Sequence, residues 1–298
     1  MARYEPSGAS VGAYAIFVGG SYRKPTYTGS QYYNYYDVSD YVDAYNSSLT
    51  RSTATSRYSR GGAFSASNGK LAVFIGNHSG AADNYTQYIN AFDTSLTQHS
   101  TQMLDYAAVH APSGIGFGDY IMIHVGLYWW GEDSISESTD VFVYDSSLTK
   151  VKTVYLTKYR FAAITSKIED KYALFAAGYN YETSTGHNTI DTFNKSLTRG
   201  TAPNLTKLTG GGGITVGEAT MPKYLDEHAL FTSSTYSSVG PTYKTFVEDY
   251  DTSLVHALQE YDSRVLGSYS VTVNNRLIMA NLSTTVYQAR GTYVFTEM

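Results

Sequence analysis

Apolar and polar positions alternate along this chain in short bursts, and one burst of nine residues recurs five times. It reads VDAYNSSLT at 42–50, INAFDTSLT at 89–97, VFVYDSSLT at 141–149, IDTFNKSLT at 190–198 and VEDYDTSLV at 247–255. Alternation with period two is the pattern of a strand, and the Asx-x-Ser after it closes a turn before Leu-Thr opens the next strand. The leucine of the phrase falls at 49, 96, 148, 197 and 254, so the steps are 47, 52, 49 and 57 residues. A step of about 50 residues is that of a four-stranded blade in a β-propeller.

Two more features keep the same period. A compact apolar run precedes each phrase, at 14–18, 71–75, 120–125, 172–177 and 228–231, with a sixth at 276–280. A small, Gly-rich stretch precedes each run: SGASV from Ser7, GGAFSAS from Gly61, SGIGF from Ser113, FAAITS from Phe161, GGGGITV from Gly210 and LGSYSVTV from Leu266. Small residues suit the innermost strand of a blade, where strands crowd around a central channel. Each unit therefore reads as an inner strand A, a buried strand B, a strand C bearing the phrase and an outer strand D. The sixth unit has its strand C at Tyr293–Phe295 and no residues left for a strand D, whereas Ala2–Pro6 precedes the first strand A. The expectation is a single six-bladed domain over 1–298, with blades at 7–58, 61–104, 113–157, 160–206, 210–260 and 265–298, the last completed by 2–6. Pairing the two termini closes the ring and removes exposed sheet edges. The five phrase leucines are expected to be buried between neighbouring blades.

Composition narrows the function. Charged residues are 16% of the chain, below the usual quarter, and Tyr, Ser, Thr, Gly and Asn supply the polarity instead. A net charge of −5 gives no basic footprint for nucleic acid or an anionic membrane. There is no cysteine, so disulfides, thiolate metal sites and cysteine nucleophiles are excluded. The N-terminal MARYEPSGAS has no apolar core of a signal peptide, and no apolar run reaches the ~20 residues that span a bilayer. A soluble protein is expected.

The period of about 50 residues and the doublet Gly19-Gly20 that ends the first strand B resemble kelch-repeat propellers. The YDxSLT phrase resembles the kelch-like repeat proteins of gut Firmicutes and their phages. The strand-C tryptophan of kelch repeats is missing: both tryptophans, Trp129 and Trp130, fall in the third B–C connection, which reads as a loop. The resemblance implies a recognition module of a phage or prophage tail, released by lysis to the virion or the extracellular space and assembled into a larger structure.

The A–B and C–D turns are short and uniform, whereas the B–C connections vary. The first, 19–41, carries Tyr22, Tyr27, Tyr32, Tyr33, Tyr35 and Tyr36; the third carries Tyr128, Trp129 and Trp130; the fourth carries Tyr179, Tyr181 and His187; the fifth carries Tyr236 and Tyr243. Variable connections on a uniform scaffold are where recognition lives, and rigid aromatics give contact area at low entropic cost. The residues just before strand A are Pro6, Arg60, Pro112, Arg160, Thr209 and Arg264, which places arginine in alternate blades on the same rim. Such a set could grip a carboxylate or phosphate, or each arginine could cap carbonyls and pair with a local Asp. The candidate ligand-binding residues are Tyr35, Tyr36, Trp129, Trp130, Tyr179, Tyr181, Arg60, Arg160 and Arg264.

Catalytic motifs are lacking. No GxSxG, HExxH, P-loop or GxGxxG occurs, and the glycine run 210–213 leads into a strand rather than a helix. His124 and His228 fall inside strand B, where burial and hydrogen bonding are expected, and His78, His110 and His187 have no metal-ligand spacing. No catalytic residue, metal or cofactor is expected. The leading reading is a non-enzymatic module that binds a cell-surface glycan or protein. The alternative is a small-sugar enzyme, an isomerase, mutarotase or hydrolase, with its site at the channel mouth.

Overall fold

The computed structural model describes residues 7–28, 31–60, 64–75, 86–99, 102–110, 112–129, 135–206, 223–225, 228–237, 242–261, 269–273, 276–280 and 292–296. Within them the chain is all-β, and no helix is long and apolar enough to cross a membrane. The chain divides into two compact units, Met1–Thr153 and Val154–Met298.

In the first unit each repeat folds as an antiparallel meander. The strands are Ser7–Val11, Tyr14–Val18, Gln31–Asn46 and Arg51–Arg60, then Phe64–Ser67, Leu71–Ile75, Thr86–Asp93 and Gln102–His110, then Ser113–Phe117, Tyr120–His124, Asp140–Tyr144 and Lys150–Tyr155. Strand Leu71–Ile75 is buried at every position, which is why its sequence LAVFI does not alternate. Its pleat still separates two cores. Ala72 and Phe74 pack with Val11, Ile16, Val18 and Val42 of the first repeat, whereas Leu71, Val73 and Ile75 pack with Ile121, Ile123 and Phe142 of the third. The innermost strands are small because they meet backbone to backbone. A Cβ on Gly116 would stand 1.8 Å from the Ser67 carbonyl oxygen, Ser65 Oγ donates to Gly8 O at 2.6 Å, and Ser67 Oγ donates to Ser10 O.

The second unit continues the pattern. Ile164–Ile168, Tyr172–Ala176, Ile190–Asn194 and Arg199–Ala202 form the fourth sheet, and Lys223–Leu225, His228–Ser237, Thr242–Tyr250 and His256–Tyr261 the fifth. A core of Ile164, Leu174, Ile190, Leu205, Phe231 and Tyr250 joins these two. The sixth is three-stranded, Tyr269–Val273, Arg276–Ala280 and Thr292–Thr296. The strand expected to complete it, 2–6, lies outside the described residues. In the fifth sheet Lys223–Leu225 pairs with His228–Leu230, and the glycine run from Gly210 lies outside the described residues.

In the first, third and fifth repeats the described residues of the B–C connection pair as ribbons rather than lying in irregular loops. In the first repeat Ser21–Thr28 pairs with Gln31–Val38 as a ribbon of eight residue pairs, and in the fifth the two strands run on together to Ser237 and Thr242. In the third, Leu127–Trp129 pairs with Ile135–Glu137 and also adds to the outer strand of the second sheet, through Leu127↔His110 and Tyr128↔Ala108. That ribbon covers an edge which would otherwise invite other strands.

The recurring phrase ends in one turn, built five times. Its Asx side chain, Asn46, Asp93, Asp145, Asn194 or Asp251, accepts hydrogen bonds through Oδ1 from the backbone N–H groups two and four residues on, at 2.8–3.0 Å. The leucine between them donates its N–H back to the Asx carbonyl, closing a type I turn and bulge. That leucine lies in the left-handed region every time, with φ of 57°, 61°, 60°, 58° and 60°. Its side chain does not obey one rule, contrary to the sequence expectation. Leu148 and Leu197 are buried, Leu96 and Leu254 pack partly against the cores shared with the preceding repeat, and Leu49 is 80% exposed.

Left-handed backbone costs an L-residue about 1–2 kcal/mol, and Asn tolerates it better than Leu. Leu49→Asn is therefore expected to raise stability by up to about 1 kcal/mol, whereas Leu148→Asn empties a packed site and lowers it by about 2–5 kcal/mol. Urea denaturation of both variants checks the opposite signs. A large loss at Leu49 would mean that a further surface covers it.

Candidate functional site

The best-defined surface on the B–C rim is built in the fourth repeat, from the connector 156–163 and the short ribbon Tyr179–Asn180 with Thr185–Gly186. Strand Tyr172–Ala176 ends in two successive left-handed residues, Ala177 (φ 55°) and Gly178 (φ 91°), as the first repeat's strand B ends in Gly19 (φ 72°) and Gly20 (φ 90°). The doublet turns the chain out of the sheet. Tyr179 then exchanges two backbone hydrogen bonds with Phe161, each 2.9 Å, and His187 N donates to Gly178 O at 2.8 Å. Only glycine fits at 178, because a Cβ there would stand 2.7 Å from the Phe161 carbonyl oxygen.

This backbone pairing sets out an aromatic ledge. The Phe161 ring stacks on Tyr179, with centroids 5.8 Å apart and planes at 29°, and meets Tyr181 edge-on at 6.4 Å. Tyr181 is 49% exposed and Tyr159 is 60% exposed. The tip is pinned by Asn180 Oδ1, which accepts from Thr183 N at 2.7 Å and Thr183 Oγ1 at 2.6 Å.

Beneath the ledge lies Arg160, which takes the second of its two readings, capping carbonyls and pairing with an aspartate. Its side chain is fully buried. Nη1 donates to Ala177 O at 2.9 Å and Thr189 O at 3.0 Å; Nη2 donates to Thr189 Oγ1 at 2.8 Å and Asp191 Oδ2 at 3.0 Å. Breaking a buried ion pair costs about 3–5 kcal/mol, more than an exposed ligand carboxylate would return. Burial lowers the pKa of Arg160 and Asp191 opposes the shift. The residue is a clamp inside the protein, not a ligand contact.

Asp191 belongs to a device that sequence reasoning missed. Thr157, in the connector before the fourth sheet, donates its N–H and Oγ1–H to Asp191 at 3.1 Å each. Thr206, before the fifth sheet, does the same to Glu248 Oε2 at 2.7 and 3.2 Å. Asp191 and Glu248 both stand second in the phrase, and Leu-Thr-Lys recurs at 156–158 and 205–207, so the pairing had a sequence trace. Arg160 is the cationic partner of one acid, and His256 Nε2 lies 2.9 Å from the other.

The histidines have separate roles. His124 is buried, with Nε2 donating to Ser138 O at 3.0 Å, as expected of a strand-B histidine. His228 is half-buried and its Nδ1 meets Asp249 Oδ1 at 2.9 Å; burial raises the Asp249 pKa against that hydrogen bond. His187 Nε2 donates to Tyr159 O at 3.1 Å, and burial, then the charge of Arg160, hold its pKa below the usual imidazole range.

The other expected contacts are spread out. Tyr35 pairs in register with Lys24 and Tyr36 with Arg23 on the first ribbon, away from the fourth repeat. Trp129 ends a strand opposite Ile135 rather than lying in a loop, and Arg60 pairs in register with Ser39. Trp130 and Arg264 lie outside the described residues. Of the nine candidates, Tyr179 and Tyr181 are brought together in the ledge; Phe161 joins them and was not foreseen. On the opposite, turn-bearing rim, an open depression of about 410 Å³ is lined by Glu169, Asp170, Lys171, Tyr172, Asn194, Lys195 and Ser196. Among the described residues no three His, Asp or Glu side chains converge as a metal site.

No family model matches this chain, and no curated protein matches it. Among solved structures the chain is similar to that of YjhT, with a TM-score of 0.58 at 9% identity, covering 99% of this chain and 95% of that one. YjhT is a β-propeller, and a likeness at this identity carries the fold alone.

The ledge geometry makes two outcomes testable. Gly178→Ala is expected to cost about 1–3 kcal/mol for the backbone conformation alone, with a further loss from the Phe161 clash. Gly69→Ala, at φ 83° with nothing within 4 Å of the added Cβ, bears only the first cost and should be the milder variant by chemical denaturation. The depressed His187 pKa means that the folded state binds fewer protons than the unfolded state below the free imidazole value of about 6.5. Its contribution to stability is complete above that pH and is lost as pH falls through the window. Urea midpoints measured down from neutral pH should fall more steeply in the parent protein than in His187→Gln.

Proposed function

We propose that this chain is a six-bladed, kelch-like β-propeller, its ring closed by pairing residues 2–6 beside Tyr293–Phe295, and that it works as a non-enzymatic recognition module for a cell-surface glycan or protein. Support for the ring comes from the six meander sheets and the likeness to the YjhT propeller. Placement in a phage or prophage tail apparatus rests on the resemblance of the YDxSLT phrase.

One observation carries the recognition reading. The sheets repeat one plan, whereas the B–C ribbons differ in length and content, and the ribbon of the fourth repeat presents exposed aromatics on a rigid base. A pinned aromatic surface binds at low entropic cost because little is left to order. Such a surface needs no titratable group to act, in keeping with the lack of catalytic motifs.

Binding of the labelled full-length protein to a panel of Gram-positive gut bacteria tests this. Tyr181→Ala, at an exposed position, should weaken binding about tenfold or more if it removes an interface hot spot. Adhesion that survives this change and Trp129→Ala alike, or measurable turnover of a sugar by the parent protein, would overturn the reading.

A further inference from the structure

The geometry points to an uncharged sugar ring as the ligand of the fourth-repeat ledge, an inference that rests on the recognition reading and narrows it. The first argument is size. Tyr159, Phe161, Tyr179 and Tyr181 are all partly exposed, and an aromatic side chain buries about 150–250 Å² when wholly covered. The exposed parts of four such rings fall short of the roughly 800 Å² per partner of a stable protein interface. They match one or two pyranose rings, whose apolar C–H face lies flat on an aromatic ring while the hydroxyls point outward.

The second argument is charge. An acidic sugar or a phosphate polymer needs a cation that no protein group already holds. Arg160, directly under the ledge, is sealed there by Asp191 at 3.0 Å, and its guanidinium also holds three other acceptors. His187 uses its Nε2–H on the Tyr159 carbonyl. The exposed charges on the connector and ribbon are one of each sign, Lys158 and Glu182. The ledge therefore offers aromatic faces without a net charge.

The third argument is rigidity. Tyr179 is fixed by its two backbone hydrogen bonds to Phe161, and the tip bearing Tyr181 is held by Thr183 on Asn180. Sugars bind weakly per contact in water, so a surface already in its bound shape matters more to them than to a ligand that can bury a large area.

A glycan array and then calorimetry on the full-length protein test the inference. The neutral probes are glucose, galactose, N-acetylglucosamine and rhamnose oligosaccharides; the acidic ones are sialylated glycans, uronate oligosaccharides and glycerol-phosphate polymers. Neutral probes should bind with an affinity that does not change between low and high salt. Tyr181→Ala should weaken them about tenfold or more, and Tyr181→Phe, which keeps the ring, should retain them. Selective, salt-sensitive binding of the acidic probes would overturn the inference, as would neutral binding that Tyr181→Ala and Tyr159→Ala both leave intact. If no glycan binds but Tyr181-dependent adhesion to cells persists, the neutral-sugar inference falls and the recognition reading stands. Loss of both glycan binding and adhesion in the parent protein would remove the two together.

Discussion

A single side-chain oxygen that accepts two backbone N–H groups is what five of the six repeats depend on. In the turn between strands C and D the Asx Oδ1 takes the N–H groups two and four residues on, and the leucine between them is forced to positive φ. Two hydrogen bonds contribute about 1–3 kcal/mol net, which offsets the roughly 1–2 kcal/mol that a left-handed leucine costs. The turn fixes the register of the hairpin, and register decides which face of strand C meets which core. It also aims the leucine. Where a preceding repeat adjoins within the unit, that aim sends the side chain into the shared core, as at Leu148 and Leu254. Identical local chemistry thus gives different burial, because the neighbour and not the turn supplies the contact.

Among the described residues the opposite rim repeats no such turn, and its connections vary. Strand B leaves its sheet through residues at positive φ in the first, third and fourth repeats, and the chain then forms a ribbon whose length is set by the local sequence. A short two-stranded ribbon is marginal by itself. The third repeat resolves this by adding its ribbon to the outer edge of the second sheet, the fourth by pairing Tyr179 with Phe161 above the Arg160 clamp. Arg160 is buried at some electrostatic cost because it ties three elements at once: the end of strand B at Ala177, the approach to strand C at Thr189, and strand C at Asp191.

Much of the fold was legible because period-two alternation and turn chemistry act locally. Tyr14–Val18, Leu71–Ile75 and Arg276–Ala280 stand where their apolar runs place them. The misreadings have a common physical source. Glycine content marks an inner strand only where another backbone approaches closely, as Ser67 approaches Gly116, so it did not find Lys223–Leu225. Tyr- and Thr-rich segments between glycines read as loops, although both residues favour strands and here form them. In the site, Tyr179 and Tyr181 were visible as ribbon aromatics. The role of Arg160 was not, because its partner Asp191 lies 31 positions away and the contact exists only once the connector is laid across strand C.

The two buried acids show why charge and recognition are separated on this rim. Asp191 and Glu248 each close a connector onto the next sheet through a threonine N–H and hydroxyl, and a buried carboxylate so used needs further partners as well. Asp191 takes the Arg160 guanidinium at 3.0 Å, and Glu248 takes His256 Nε2 at 2.9 Å. Arg160, one of the arginines that promised a positive rim, is therefore tied to holding its repeat in place, and its charge is cancelled within the protein. What remains for a ligand is the polarity that the composition favours throughout, tyrosine, threonine and asparagine, carried on a backbone that the buried charges keep still.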